Sequence, residues 1–90
     1  MSKTAFIKET IQAALPDAQV FIVDPYNDGE HFQGIVVSAS FEGLPLVKQH
    51  QKVMLALKSA FAETVHALAL KTFTPEKWES EKQHYPGATQ

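Results

Sequence analysis

The first apolar residues of the chain recur three and four positions apart, which predicts an amphipathic helix. Either Ser2 or Thr4 is available as its N-cap, and the Pro16-Asp17 pair ends it. The residues that set this spacing are Phe6, Ile7, Ile11, Ala14 and Leu15.

The pattern then changes to runs of β-branched and aromatic residues. Residues 18–24 and 31–38 have this composition, which is typical of strands. Proline, asparagine, aspartate and glycine at 25–29 form a dense turn signal between the two runs. We therefore expect an antiparallel hairpin.

After a loop at 41–45, whose Pro45 opens a helix, an apolar stripe at helical spacing predicts a central helix or a short turn of helix followed by a longer one. Its positions are Leu46, His50, Val53, Met54, Leu57 and Phe61. Residues 65–73 predict a third strand, and residues 74–76 a helix start with a capping threonine, a proline and an acid. Phe73 and Trp78 fall at the positions of a hydrophobic staple, and residues from 85 on look frayed.

The predicted order is α-β-β-α-α-β-α, an α+β fold with helices on a three-stranded mixed sheet. We expect one domain over residues 1–90 with an ordered core of about residues 3–84. The second and third strands are joined through a helix, so as neighbours they should be parallel. His31 and His66, at their starts, should then lie at the same end of the sheet.

Composition limits the function. The net charge is −2, and all eight basic residues are lysines, which disfavours duplex DNA as a partner.

We expect a cytoplasmic protein without a membrane segment. The chain has no cysteine nucleophile, no Walker loop and no dinucleotide motif, and Ser38 and Ser40 lack a nucleophile-elbow context. We expect no enzymatic activity, and we interpret Asp28 and Glu30 as solvent-exposed loop acids.

Histidines are the strongest candidates for chemistry. His66 is either a ring hydrogen-bonded at the sheet edge or a metal ligand, since neutral imidazole suits zinc, copper and iron. His31 is either a solvated loop residue or the second ligand. Two histidines do not complete a structural zinc site, but in Rieske-type centres two histidines replace two cysteines on one iron of a [2Fe–2S] cluster.

Five short segments resemble signatures of the BolA family. Residues 65–68 and 72–78 resemble its C-terminal signature, 38–43 and 47–50 its central one, and 29–32 its hairpin loop in the histidine-bearing subgroup. The resemblance extends from the first helix to Trp78, and the order and spacing of the segments make it specific.

The resemblance implies a fold similar to the class II KH domain and partnership with a monothiol CGFS-type glutaredoxin. In such heterodimers a [2Fe–2S] cluster is bridged, with the glutaredoxin cysteine and glutathione on one side and BolA ligands on the other. The family's ligand matches His66 and its loop ligand matches His31. The family is also described as transcriptional regulators that bind DNA and affect cell shape, biofilm and stress responses.

Two alternatives stay open. As a DNA-binding regulator, the chain would contact phosphates through Lys48, Lys52 and Lys58, although residues 43–46 lack the second glycine of the KH Gly-x-x-Gly loop and glutamines flank the histidine at 49–51. As a plain interaction module, it would use an exposed sheet edge. In every case we expect a monomer or weak homodimer, with structural roles for Gly43, His50, Thr74, Pro75 and Trp78.

Overall fold

The computed structural model describes residues 3–28, 31–58 and 67–85, in which three strands form one mixed sheet. Its elements are α1 (Lys3–Ala14), β1 (Gln19–Val23), β2 (His31–Val37), a 3-10 helix (Ala39–Phe41), α2 (Leu46–Ala56), β3 (Ala67–Phe73), α3 (Pro75–Glu81) and a second 3-10 helix (Lys82–His84). The predicted α+β class is confirmed.

The central strand of the sheet is β2, which pairs antiparallel with β1 and parallel with β3. The predicted hairpin and the parallel third strand are therefore both confirmed. Residues 65 and 66, the first two of the predicted third strand, lie outside the described residues, as do residues 59–64 after the central helix.

One face of the sheet carries the larger, mostly aliphatic core. Ile7, Ile11 and Leu15 of the N-terminal segment are buried against it at intervals of four residues. Gly34 lies at the centre of β2, where an added Cβ would lie 2.9 Å from Cδ1 of Ile22 and 3.3 Å from Cδ1 of Leu68. The missing side chain lets residues of β1 and β3 approach each other over the central strand.

The predicted boundaries and faces of α1 need correction. Thr4 lies inside the helix, which begins at Lys3, so it is not the N-cap, and Ser2 lies outside the described residues. Phe6 is 40% exposed and Ala14 is also exposed, although both fit the apolar spacing. The sheet covers only a narrow stripe of this helix, and residues one position away from that stripe point about 100° around the axis.

The apolar stripe predicted for the central helix is also only half right. Val53 and Leu57 are buried, but Leu46 is 60% exposed and Met54 is 40% exposed. Phe61 lies outside the described residues. Because α2 packs against β3 and α1, the row that faces inward passes through Gln49, Val53 and Leu57, each four residues from the last.

Gln49 is the polar member of that row, and it joins three elements. Its Nε2 donates to the carbonyl of Leu44 at 2.8 Å and to that of Phe41 at 3.5 Å. Its Oε1 accepts from Oγ1 of Thr72 on β3 at 2.7 Å. A single amide therefore holds the loop before α2 and fixes α2 to the edge strand.

A second polar contact closes the far side of the hairpin. Oγ of Ser38 donates to the carboxylate of Asp17 at 3.0 Å, and the backbone N–H of Ala39 donates to it at 2.9 Å. Asp17 thus accepts hydrogen bonds at the start of the first 3-10 helix and ties the end of β2 to the turn before β1.

Among the described residues, α3 covers the other face of the sheet at the Phe73 end. Val37, Phe73 and Trp78 form a second buried cluster, packed against Phe21, Ile35 and Tyr85. The rings of Trp78 and Tyr85 stack with centroids 5.9 Å apart. The prediction that the chain frays from residue 85 is wrong at Tyr85 itself, because that ring belongs to the aromatic cluster; residues 86–90 lie outside the described residues.

The start of α3 is formed as its sequence predicts. Thr74 is the N-cap, its side chain accepts from the backbone N–H of Lys77 at 3.3 Å, and Pro75 is the first helical residue. The rings of Phe73 and Trp78 lie 5.4 Å apart, as a staple requires. Cap, proline and staple together fix the angle at which the chain leaves β3.

Candidate functional site

Two candidate ligands were predicted at the starts of β2 and β3, and the structure describes one of them. His31 is the first residue of β2, and its α-carbon pairs with that of Ala67, the first residue of β3. His66 directly precedes Ala67 in the sequence and lies outside the described residues. The parallel register therefore places the starts of β2 and β3 at one end of the sheet, the His31 end. A site that uses the two predicted ligands would lie there.

The ring of His31 is held by an acid three residues earlier. Nδ1 of His31 lies 2.8 Å from Oδ2 of Asp28, and the backbone N–H of His31 donates to Oδ1 of the same carboxylate at 3.0 Å. The side chain of His31 is 54% exposed and that of Asp28 is 33% exposed. The pair is thus accessible to a partner molecule, and both oxygens of one carboxylate are directed at one residue.

The hairpin turn supports this pair. The backbone N–H of Asp28 donates to Oδ1 of Asp24 at 3.2 Å. Asn27 has a φ of +51°, a left-handed conformation that asparagine tolerates better than most residues. The ring of Tyr26 approaches that of His31 edge-on, with centroids 6.0 Å apart and planes at 83°. Asp28 and Tyr26 of the turn therefore both contact the imidazole.

The contact between Asp28 and Nδ1 is of the kind found beside metal-binding histidines. A metal-ligating histidine usually donates its other ring N–H to a carboxylate, a carbonyl or water. Since Asp28 contacts Nδ1, any metal ion that this ring ligates would be held through Nε2. Within the described residues, no group of three or more His, Cys, Asp or Glu side chains could hold a metal ion.

Asp28 is the residue that sequence reasoning missed. It was interpreted as a solvent-exposed acid, and the structure pairs it with the candidate ligand. A signal was present, since an aspartate in a turn commonly accepts hydrogen bonds from backbone N–H groups that follow it. That signal predicts the backbone contact but not the ring contact.

His50 was predicted to hold a loop carbonyl or to pack near the sheet; the neighbouring Gln49 holds the carbonyl, and His50 lies beside β3. His50 is half-buried and lines a cavity of about 570 Å³ between α2, β3 and α3, together with Thr72 and Lys77. Gly43 has a φ of +79°, with open space where a Cβ would be, so the turn requires glycine for its backbone conformation alone.

The three lysines named as phosphate contacts are exposed. Lys48 and Lys52 are four residues apart on α2, so they share a face one turn from each other. Lys58 follows the helix, which ends at Ala56, and no acidic residue occurs between Leu46 and Lys58. The segment from Leu46 to Lys58 thus carries exposed lysines and no acid, on a chain of net negative charge.

No helix within residues 3–28, 31–58 and 67–85 is long and apolar enough to span a bilayer.

Comparison with known proteins identifies the family. A family model described as BolA-like protein matches residues 5–77. The chain is 37% identical over 59 residues to a protein of Haemophilus influenzae named DNA-binding transcriptional regulator BolA, a match covering 66% of this chain and 57% of that protein. It is 32% identical over 80 residues to the Escherichia coli protein of the same name, covering 81% of this chain and 76% of that one.

A solved structure gives the same result for the fold. A BolA protein homologue from Coxiella burnetii superimposes with a TM-score of 0.76 at 36% identity, covering 88% of this chain and 99% of that one. The bacterial relatives are named as regulators and not as enzymes. With a family model that matches most of its length and a shared fold, this chain belongs to the BolA family.

Proposed function

We propose that this chain is a non-enzymatic cytoplasmic partner of a monothiol glutaredoxin, with which it shares a bridging [2Fe–2S] cluster in iron–sulfur assembly or iron regulation. His31 and His66 supply the ligands on this side, and the glutaredoxin cysteine and glutathione supply the others. The observation that carries the proposal is the carboxylate-held imidazole of His31 at the exposed end of the sheet, in register with the residue that follows His66.

The donor chemistry supports a shared cluster. Imidazole nitrogens ligate one iron of Rieske-type [2Fe–2S] centres, and the chain contains no cysteine. The side chain of His31 is more than half exposed, so a second protein can reach it. A bridged cluster needs such access, because its remaining ligands come from another molecule.

The proposal is tested by reconstitution. The chain is mixed with a monothiol glutaredoxin, glutathione, ferrous iron and sulfide, and visible circular dichroism records the cluster. We expect His66→Ala and His31→Ala each to lose the spectrum of the mixed cluster, while His84→Ala, an exposed histidine of the C-terminal 3-10 helix, keeps it. If His66→Ala gives the wild-type spectrum, the ligand assignment is wrong.

Two further measurements complete this test. Far-UV circular dichroism of each variant separates loss of a ligand from loss of the fold. A complex with glutaredoxin that forms without iron and is unaffected by His66→Ala would instead support a plain protein-interaction module.

DNA binding is the second candidate function, supported by the exposed lysines of α2 and by the names of the bacterial relatives. In a mobility-shift titration with duplex DNA, log affinity falls as log salt rises. Lys48→Gln and Lys52→Gln should each make that negative slope shallower by about 0.9. Lys8→Gln on α1 is the matched control. Absence of any retardation at low salt would exclude this function for the isolated chain.

A further inference from the structure

Asp28 and His31 are joined by two contacts. Oδ1 of Asp28 accepts from the backbone N–H of His31 at 3.0 Å, and Oδ2 lies 2.8 Å from Nδ1 of its ring. A single contact would leave either the peptide or the ring able to rotate. Because one rigid carboxylate engages both, it fixes the position of His31 in the chain and the orientation of its imidazole.

The contact also selects a tautomer. An ionised carboxylate has no hydrogen to donate, so the Nδ1 atom beside it carries the proton of the neutral ring. The lone pair that can bind a metal is then on Nε2. In an imidazole without such a partner both tautomers are populated. Only the Nδ1–H tautomer has its lone pair on Nε2.

We propose that Asp28 is a positioning residue, which holds the neutral ring of His31 in the Nδ1–H form and so makes Nε2 the nitrogen that ligates the shared cluster. The inference rests on the proposed function for its role toward iron. Its first part, the control of the tautomer by Asp28, is a property of the isolated chain and can be tested without any partner.

The most informative variant is Asp28→Asn, which has nearly the same shape. In asparagine the oxygen occupies only one of the two positions held by Oδ1 and Oδ2, and the NH₂ group, a donor, occupies the other. The backbone N–H of His31 cannot change its polarity, but the ring can, by moving its proton. We therefore expect the amide oxygen to keep the backbone contact and the amide NH₂ to face an unprotonated Nδ1, which moves the ring proton to Nε2.

The first experiment measures this tautomer in the isolated protein. Long-range ¹H–¹⁵N correlation spectra of ¹⁵N-labelled protein are recorded at about pH 8, above the ordinary titration range of imidazole. We expect the wild type to show a protonated Nδ1 and Asp28→Asn a protonated Nε2. Asp28→Ala should show a mixture, and Glu42→Gln, which removes a charge from another exposed loop, should match the wild type. A wild-type pattern in both Asp28 variants overturns the inference.

The second experiment measures the cluster. The rate at which a chelator removes iron from the reconstituted complex with glutaredoxin and glutathione is compared among the same variants. Loss of a carboxylate partner typically lowers metal affinity roughly 10–100-fold, and we expect acceleration of that order for Asp28→Asn and Asp28→Ala, with none for Glu42→Gln. Changed tautomers with unchanged rates would show that Asp28 sets the tautomer of His31 but has no role toward the cluster.

His31→Ala separates the two proposals. If it leaves the cluster unaffected, His31 is not a ligand and the proposed function fails in that part, whatever Asp28 does to the tautomer. If His31→Ala destabilises the cluster and the Asp28 variants do not, the proposed function stands and the positioning role is wrong.

Discussion

The strands β2 and β3 run side by side from His31 and Ala67 at one end of the sheet to Val37 and Phe73 at the other, and the two ends differ in burial and in chemistry. The side chain of His31 is 54% exposed beside a carboxylate. Val37 and Phe73 are 2% and 8% exposed beneath Trp78.

This difference shows how a small domain separates two requirements. A chain of 90 residues has room for only a modest core, and the second cluster of that core lies at the Trp78 end. A ligand to a cluster shared with another molecule must remain accessible, and the polar pair lies at the other end. We therefore expect substitution of the buried residues of the Trp78 cluster to change stability, and substitution of the exposed Asp28–His31 pair to change binding.

The largest effect should come from Trp78→Ala. Removing this side chain from among Phe21, Phe73 and Tyr85 leaves a cavity, and we expect the free energy of unfolding to fall by about 3–5 kcal/mol. Urea denaturation measures this change. It is followed by far-UV circular dichroism and not by fluorescence, because the variant lacks the only tryptophan of the chain. Trp78→Phe should lose only part of that free energy. A decrease in the free energy of unfolding below about 1 kcal/mol for Trp78→Ala would show that this cluster is not important for stability.

Gln49→Ala should have the next largest effect. It removes the acceptor of the Thr72 hydroxyl and the donor to the Leu44 carbonyl, both partly buried, and we expect a loss of about 1–3 kcal/mol. Gln51→Ala is the matched control, an exposed glutamine two residues away on α2. Equal stabilities of the two variants would show that the bridge between α2 and β3 is not a stabilising contact.

A smaller effect is expected for Thr74→Ala. The substitution removes the oxygen that accepts from the N–H of Lys77 at the start of α3, and loss of such a cap lowers the free energy of unfolding by about 1 kcal/mol. Thr74→Ser keeps the hydroxyl and should retain most of that stability. If serine is no better than alanine, the methyl group of the threonine and not its oxygen is responsible.

The smallest effect on stability should come from His31→Ala. Because the ring is exposed, we expect a change within about 0.5 kcal/mol, even though the same variant should lose the mixed cluster. Phe32→Ala is the control at the next position, where the side chain is only 3% exposed, and it should lose about 3–5 kcal/mol. A loss above about 1.5 kcal/mol for His31→Ala would mean that the exposed ring itself stabilises the fold, and the separation of roles would fail.

Most of the fold could be predicted from the sequence because its signals are local. The hairpin follows from two β-rich runs around a turn, and the start of α3 from Thr74, Pro75 and the staple. The faces of α1 and α2 were less predictable. Phe6 and Met54 fit the apolar spacing but are 40% exposed, because spacing does not tell which part of an amphipathic surface the neighbouring elements cover.

The candidate site shows the same limit. That His31 and the start of the third strand belong to one end of the sheet could be inferred from strand order and the handedness of crossovers. That Asp28 holds the ring could not, because the contact depends on a turn with a left-handed Asn27 that brings one carboxylate to both nitrogens. His66 stays a prediction, since it lies outside the described residues.

The sequence by itself thus determined the types and order of the elements, the parallel pairing of the last two strands and the histidine at the start of β2. The elements depend on periodicity, turn residues and caps, which act over a few neighbouring positions, and the parallel direction follows from the helix that joins the two strands. Only the tertiary structure decided which polar side chains meet, as Gln49 and Thr72 do, and which apolar ones are covered. Those outcomes depend on how helices and turns lie against the sheet, and therefore on residues distant along the chain.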